Sequence, residues 1–416
     1  MTSPLRRDSL SAEMGSLIAR LRENVAARRK IYSGFLAVLC LANLIGLLFA
    51  GLWPFDFSPE NKAAWVSGGK GLFFDGKRKP WKRSVGSIAY LPTLKGFSPI
   101  PTIENDAFTL AIRLQPASER TGGIIHFLSL VGRSGTQVFY LGQWRDSLIV
   151  RWREAAKDGK RKWREIGAGE ALLKAKAQWL TIATDPSGTV IYIGGKAARR
   201  YPGRPLPPGA GGLRGCRIVL GNSAEAKSPW TGTISALALY ERVLNENEVL
   251  DKWGDPPGSF PDTASGPDGL IAAFNLEGGE GNRGIDLSGN GNLLEIPSHI
   301  SVRGRMLEGF DNPYRSGLSL TSDVVINVLG FIPFGFFVFW WFKIRGRWSR
   351  GRSVLLVVLG GGLVSLAIEM TQAFLPTRSS SLLDVICNVA GALFGVFVFF
   401  LLSLAAKSVL KIGNQG

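Results

Sequence analysis

The sequence predicts a multi-domain membrane protein: four transmembrane α-helices, with an all-β sandwich inserted between the first and the second. Three observations lead there. Four stretches are long and apolar enough to cross a bilayer, one near the amino terminus and three in the last hundred residues. Residues 56–319, between the first two stretches, hold many short runs of alternating polarity broken by turn residues. Basic residues are distributed unevenly among the segments that join the apolar stretches.

The apolar stretches come first. Residues 31–55 form a run of 25 without a charge, and 324–342 a run of 19. Residues 353–376 form a run of 24 whose one charge is Glu369, and 385–406 a run of 22 without any. A bilayer core needs about 20 such residues. Buried core helices are the alternative, and three of them packed into one hundred residues argue against it. Residues 1–30 carry seven Lys or Arg and three acids, ending in Arg28-Arg29-Lys30. Loop 343–352 carries Lys343, Arg345, Arg347, Arg350 and Arg352 with no acid, and the tail 407–416 carries Lys407 and Lys411. Loop 375–381 holds only Arg378. The positive-inside rule then puts both termini and loop 343–352 in the cytoplasm, and 56–319 and 375–381 outside. A cleavable signal peptide is the other reading of residues 31–55. Small residues near Ala50 permit a cut, but a run of 25 exceeds the 7–15 of an ordinary apolar core in such a peptide.

Composition removes several function classes. Three Cys exclude a disulfide scaffold, and two His leave no basis for a His/Cys metal centre or a His-based triad. The formal charge is +17, part of which belongs to the cytoplasmic segments. Residues 54–319 keep 34 basic and 26 acidic residues, or +8. Outside a membrane such a surface meets anionic lipid or glycan, not nucleic acid. The densest basic cluster is Lys157, Lys160, Arg161, Lys162 and Arg164. Its spacing reads as a solvated hairpin tip.

Period-two alternation marks strands at 107–114, 147–152, 179–184, 189–193 and 216–220. Asp185-Pro-Ser-Gly188 reads as a turn between two of them. A short helix is expected over 245–253, capped by Asn245 with Glu248 three residues later, and with Val249, Leu250 and Trp253 on one face. The run 181–195, then Leu220-Gly-Asn222, residues 230–235 and residues 239–249, resemble the concanavalin A-like, laminin-G-type jelly roll. The resemblance covers most of 60–255 and implies a fold that hosts lectins, glucanases and adhesion modules. Glucanases of this fold carry a Glu-x-Asp-x-x-Glu run, which is missing here. Residues 269–277 and 286–292 look like the usual opening of such a domain but come last, so a circular permutation closed by 269–297 is expected. Asp286, Asn290 and Asn292 offer oxygens to Ca²⁺ in a glycine-rich turn, and plain turn chemistry explains the same residues.

The last hundred residues contain a repeat. Asp323, Asn327 and Gly330 recur as Asp384, Asn388 and Gly391 at a constant offset of 61. Positions i, i+4 and i+7 share a helix face, so each span presents an Asp-Asn-Gly stripe at its outer entrance. Asn can bridge helices, and Gly lets a neighbour approach. Glu369 and Gln372 lie on the outer half of the third span, and Arg378 follows in the outer loop. Asp323, Asn327, Glu369, Gln372, Arg378, Asp384 and Asn388 therefore converge at one depth. They are read either as a functional cluster, the default for intramembrane ionisable residues, or as a polar knot holding the helices.

These residues, with Pro333-Phe-Gly335, Ile368, Pro376 and the segment 51–57, resemble the VanZ-like membrane family. The resemblance covers about 31–57 and 320–405. It departs from the family in the inserted sandwich, and in Ser379, Ser380 and Ser381, which lengthen the path from Arg378 to Asp384 and so loosen any pair between them. It implies a bacterial inner-membrane location and a link to glycopeptide tolerance and envelope biology, without supplying a reaction. The expected organisation is a cytoplasmic segment 1–30, a span 31–55, an outer sandwich 56–319, a three-span bundle 320–405 and a tail 407–416. The expected function is envelope binding, with the sandwich engaging glycan or an envelope protein and no catalytic residues, metal or resident cofactor assigned. The alternative is an enzyme or carrier for lipid-linked glycan intermediates, in which Arg378 holds a phosphate while Glu369 and Asp384 do acid–base work.

Overall fold

The computed structural model describes residues 5–76, 85–95, 107–133, 135, 137–155, 161–207, 213, 215–254, 260, 269–301, 304, 306–309 and 317–413. The chain divides into two units, Asp56–Arg303, and Met1–Phe55 with Gly304–Gly416. It opens with α1 (Leu5–Leu52). There follow β1 (Ala64–Trp65), β2 (Leu72–Phe74), β3 (Ala89–Leu91), β4 (Phe108–Pro116), β5 (Ile125–Val131), β6 (Gln137–Trp144) and β7 (Ser147–Ala155). Next come β8 (Arg161–Ala168), β9 (Gln178–Asp185), β10 (Gly188–Ile193), β11 (Lys196–Pro202), β12 (Arg217–Leu220) and β13 (Gly232–Tyr240). After α2 (Glu246–Trp253) come β14 (Leu270–Asn275), β15 (Arg283–Ile285) and β16 (Leu293–Glu295). The chain closes with α3 (Gly317–Arg345), α4 (Arg350–Gln372) and α5 (Leu382–Gly413).

The middle unit is an antiparallel sandwich. One sheet runs β1-β2-β13-β4-β9-β10-β11, with β14 also on β13; the other runs β15-β16-β3-β12-β5-β6-β7-β8. Alternation builds the core directly. Phe108, Leu110, Ile112 and Leu114 of β4 face Phe139, Leu141, Leu148 and Val150 of the second sheet in one buried cluster. Asp185 holds the expected turn by accepting from Ser187 N at 2.8 Å and Gly188 N at 3.2 Å. The opposite face of the first sheet is lined by Ala111, Ala183, Ala236, Ala238 and Ala273, small enough for α2 to lie against it. That helix starts at a capping box: Asn245 Oδ1 accepts from Glu248 N at 3.0 Å, and Glu248 Oε2 accepts from Asn245 N at 2.7 Å. Val249 and Trp253 are buried, but Leu250 is 42% exposed. One residue on from Val249 lies about 100° around the helix, and that turn carries Leu250 off the packed face.

The late residues enter the same sandwich. β14 pairs with β13 from Ala236↔Asn275 to Tyr240↔Leu270, and β16 pairs with β15 and β3. Of the basic cluster, Lys157 and Lys160 lie outside the described residues, as does the Arg161 side chain. Lys162 is exposed, and Arg164 pairs with Glu154 at 2.6 Å across the β7–β8 hairpin.

One buried group makes this unit acid-sensitive. His126 of β5 is fully buried, with its ring stacked 3.7 Å from that of Tyr140. Desolvation, with the nearby Arg151 charge, pushes its pKa down from 6.5 to about 3. The unfolded chain takes up that proton below about pH 6.5 and the folded chain does not until about pH 3. Stability is therefore lost on acidification through that window, by up to ~1.4 kcal/mol per pH unit. Tryptophan-fluorescence melts of the full chain in detergent should show an unfolding temperature that falls from about pH 6 to about pH 4, and His126→Gln should flatten the profile. A flat profile for the unchanged protein would contradict this account.

In the helical unit, four helices are long and apolar enough to span a membrane: Glu23–Leu52 of α1, Thr321–Arg345, Arg350–Gln372 and Leu382–Ser408. α3 and α5 meet backbone to backbone. A Cβ on Gly391 would strike the carbonyl oxygen of Val328, one on Gly395 that of Ile332, and one on Gly335 that of Ala392. Gly391-x-x-x-Gly395 is thus a small-residue contact motif, which the repeat analysis met only at Gly391. The repeat is unequal. Gly330 faces nothing closer than Leu47 Cδ2 at 3.9 Å, an ordinary contact. Pro333 lies within α3 without ending it, as spanning helices tolerate.

Candidate functional site

The polar residues singled out in the sequence meet where α4 ends and α5 begins. Glu369 and Gln372 occupy the last turn of α4, and both are buried. Glu369 Oε2 accepts from Ser381 N at 2.6 Å. Gln372 Nε2 donates to Gly51 O at 2.8 Å. Arg378 donates from Nε to Trp53 O at 2.9 Å and from its terminal amine to Ala50 O at 2.8 Å. Ala50 O and Gly51 O lie in the last turn of α1, where carbonyls have no partner within their own helix, and Trp53 O lies just past its end. A cation is favoured there by the helix dipole. Close approach permits this geometry, since a Cβ on Gly51 would lie 2.8 Å from Ile368 Cγ2 of α4.

A second strand of chain binds the same loop. Gly304 N donates to Ala373 O at 2.8 Å. Glu308 N donates to Ser380 O at 3.0 Å, and Leu382 N donates to Glu308 O at 3.1 Å, forming a parallel bridge with Ser381. Leu307 N donates to Ser380 Oγ at 2.9 Å. Both passages of chain into the sandwich, 50–55 and 304–309, are therefore bonded to the α4–α5 loop and its flanks.

The other residues take separate places. Asn388 of α5 is buried and donates to Ser365 Oγ of α4 at 2.8 Å, joining two helices. Asp384 lies in the first turn of α5, where the helix dipole favours a carboxylate. Its repeat partner Asp323 lies seven residues into α3, clear of the first turn. Asp323 and Asn327 are both half-buried. Two of the serines expected to loosen any Arg378–Asp384 pair have bonds of their own. Ser380 and Ser381 are 1% and 4% exposed, and they carry the loop's bonds to Glu369 and to 307–308. Sequence reasoning missed them, along with Ser365 and 304–309. The signal was present in the departure at Ser379–Ser381, read only for its effect on an Arg378–Asp384 pair, whereas Ser380 and Ser381 add bonding capacity.

In the sandwich, Asp286 was the residue with metal-ligand chemistry. Its Oδ1 accepts from Ala273 N and Ser288 N at 3.0 Å, and its Oδ2 from Asn292 N and Nδ2 at 2.9 Å. Asn290 Nδ2 donates to Leu270 O and Ile271 O, both at 2.9 Å. Both Asp286 oxygens are thus engaged by N–H donors, and the bonds from Ala273 N and Asn290 Nδ2 staple turn 286–292 to β14. Burial alone would raise the Asp286 pKa, but the donors from Ala273, Asn292 and Ser288 outweigh it and hold the group below 3.8. Among the described residues, no group of three or more His, Cys, Asp or Glu is placed to hold a metal.

Two family models match the chain. VanZ/LLP1 matches residues 284–403, covering α3, α4, α5 as far as residue 403 and the passage 304–309, but not α1 or segment 51–57. The concanavalin A-like lectin/glucanases superfamily model matches residues 96–250. The comparison with curated proteins gives no match. Among solved structures, the chain is similar to a Bacteroides ovatus protein assigned to carbohydrate binding, at 16% identity and TM-score 0.34, over 51% of this chain. The chain spans just over half, 56%, of that protein's length. It is also similar to a heptameric SAP-like pentraxin from Limulus polyphemus, at 12% identity and TM-score 0.34, covering 56% of this chain and 97% of that one. A third is the CBM40 of a Ruminococcus gnavus IT-sialidase bound to α2,3-sialyllactose, at 15% identity and TM-score 0.31, covering 47% and 98%. With four apolar helices and these two model matches, the chain is a membrane protein that joins a VanZ-like domain to a concanavalin A-like β-sandwich.

Proposed function

We propose that the protein displays its sandwich on the outer side of a bacterial inner membrane, where the sandwich binds cell-envelope glycan, and that the VanZ-like part is its anchor. The observation that carries this reading is the double attachment. A whole lectin-type domain is inserted after α1, and both of its chain passages are bonded to the one loop between α4 and α5. An anchor needs such a junction, because two independent strands entering a bilayer would otherwise leave polar backbone unpaired at its edge. The polar cluster supplies the junction. Arg378 and Gln372 donate to backbone carbonyls in the last turn of α1 and just past it, as an anchor requires. The basic residues of 1–30 and 343–352 support the orientation. So do Trp53, Phe55 and Phe57, all exposed at the end of α1 that faces outward in this topology, where aromatic side chains favour the interface.

Two measurements test the proposal. A periplasm-dependent phosphatase fused after residue 200 should be active, and one fused after residue 347 should be silent. The full chain in lipid nanodiscs should then bind a defined set of spots on a glycan array. The opposite reporter pattern would refute the orientation, and an array without a single bound glycan would refute the binding function.

A further inference from the structure

The sandwich carries a cleft of about 640 Å³ where the β4–β5 connection meets the β6–β7 turn, lined by Glu119, Arg120, Thr121, Gly122, Arg145 and Asp146. Clefts of this size suit small organic ligands. The two connections are fixed from beneath. Gln143 is fully buried, accepts from the buried Trp230 Nε1 at 2.7 Å, and donates to Ser118 O at 2.8 Å and Arg145 O at 2.6 Å. Arg145 N donates to Thr121 Oγ1 at 2.9 Å across the cleft. Lys174 N holds Glu119 Oε1 at 2.7 Å, and Ser147 Oγ donates to Asp146 Oδ1 at 3.1 Å. The walls are therefore set before any ligand arrives, which removes an ordering cost from binding.

The turn itself is built at some expense. Arg145 has φ of +57°, the left-handed conformation that glycine, asparagine and aspartate take more easily. An arginine at such a position, in a residue that lines the cleft, marks a site where conformational ease is sacrificed to a side chain. Beside it Trp144 is 47% exposed, with the Arg145 guanidinium carbon 5.2 Å from its ring. Trp144 precedes Arg145 without lining the cleft itself, and an exposed indole there is a stacking surface for the part of a ligand that reaches past the cleft.

We infer that this cleft binds an uncharged pyranose saccharide. The inference rests on the reading of the sandwich as a glycan-binding domain and gives that binding a place and a ligand class. Glu119 and Asp146 balance Arg120 and Arg145, so the cleft has no net charge to repay the desolvation of an ionised ligand. Hydroxyl groups suit it better. Each donates to a carboxylate and accepts from a guanidinium, and sugar hydroxyls on adjacent carbons do both at once. The C–H face of a ring that extends past Arg145 is the apolar surface for Trp144.

The test uses the full chain in lipid nanodiscs and isothermal titration with maltotriose, cellotriose and chitotriose, against trigalacturonic acid as the charged control. At least one neutral sugar should bind, and the acid should not. Trp144→Ala and Asp146→Asn should each weaken binding at least tenfold without a change in unfolding temperature. Arg145→Gly should weaken binding and raise the unfolding temperature, a combination that a purely structural turn residue would not give. Neutral-sugar binding that survives Trp144→Ala and Asp146→Asn would overturn the cleft while leaving the glycan-binding reading intact. Preference for the acid, or an array on which only charged glycans bind, would overturn the ligand class. No glycan bound by the unchanged protein would sink both proposals together.

Discussion

A sandwich segment that ends before residue 269 is expected to lose cooperative unfolding altogether. β14 completes one side of β13, where β2 covers Gly232–Ile234 and β14 covers Ala236–Tyr240. Removing 269–297 takes away Leu270, Ile271, Phe274, Leu276, Leu294 and Ile296, all buried. At about 1.5–3 kcal/mol for each large apolar side chain, the loss is on the order of 9–18 kcal/mol. That matches or exceeds the roughly 5–15 kcal/mol by which a domain is stable. The half-buried carboxylate of Asp286 would leave with them, and Ala273 N on β14 is one of its donors. The measurement compares segments 56–303 and 56–260 by thermal melting and limited proteolysis. The longer one should melt in a single transition and the shorter should be protease-sensitive without one. A sharp transition in 56–260 would show that the late strands are an appendage, not a closing element.

How much of this was legible follows from the range of each interaction. The strands 107–114 and 179–184 show in the sequence because one side faces the core and the other a helix-covered or polar surface, and period two survives locally. The capping box at Asn245 and Glu248 is visible because all its atoms lie within four residues. Leu250 was misplaced because a helix of two turns shows too short a stripe to fix its edge. The polar cluster was legible as a set, since spacing on apolar helices reveals its members. Its wiring was not. Arg378 reaches Ala50 across 328 positions, and Gln372 reaches Gly51 across 321, and no local pattern encodes such a separation. The partners are also backbone carbonyls, which every residue has, so the sequence gives no mark of which will be used. The cleft at Arg145 escaped for a related reason: a positive φ is a property of the folded turn, and Trp144-Arg145-Asp146 contains no glycine to announce it.

Glu369→Leu and Arg378→Ala are each expected to lower the amount of folded protein in the membrane several-fold, whereas Glu369→Gln is expected to leave it close to normal. The difference lies in what each side chain supplies. Ser381 N is buried and donates to Glu369 Oε2. Leucine leaves that donor without its acceptor, at a cost of about 1–3 kcal/mol, and more where the bond was to a charged group. Glutamine keeps a carbonyl oxygen at the same position. Arg378→Ala removes donors from Ala50 O, in the last turn of α1 where the helix itself cannot satisfy it, and from Trp53 O just past the helix end. Either loss also loosens loop 373–382, and with it the bonds from Gly304, Leu307 and Glu308 that hold the returning chain. The two substitutions act on one connected network, so the double variant Glu369→Leu with Arg378→Ala should be less damaging than the sum of its parts. Quantitative detection of membrane-extracted protein, with melting in detergent, measures all four variants. Glu369→Gln is decisive between the roles of the cluster. Normal abundance with unchanged glycan binding fits a knot that needs only an acceptor at this position. Normal abundance with function abolished would mean that the charge or proton of Glu369 is used, and the anchor reading would give way to intramembrane chemistry.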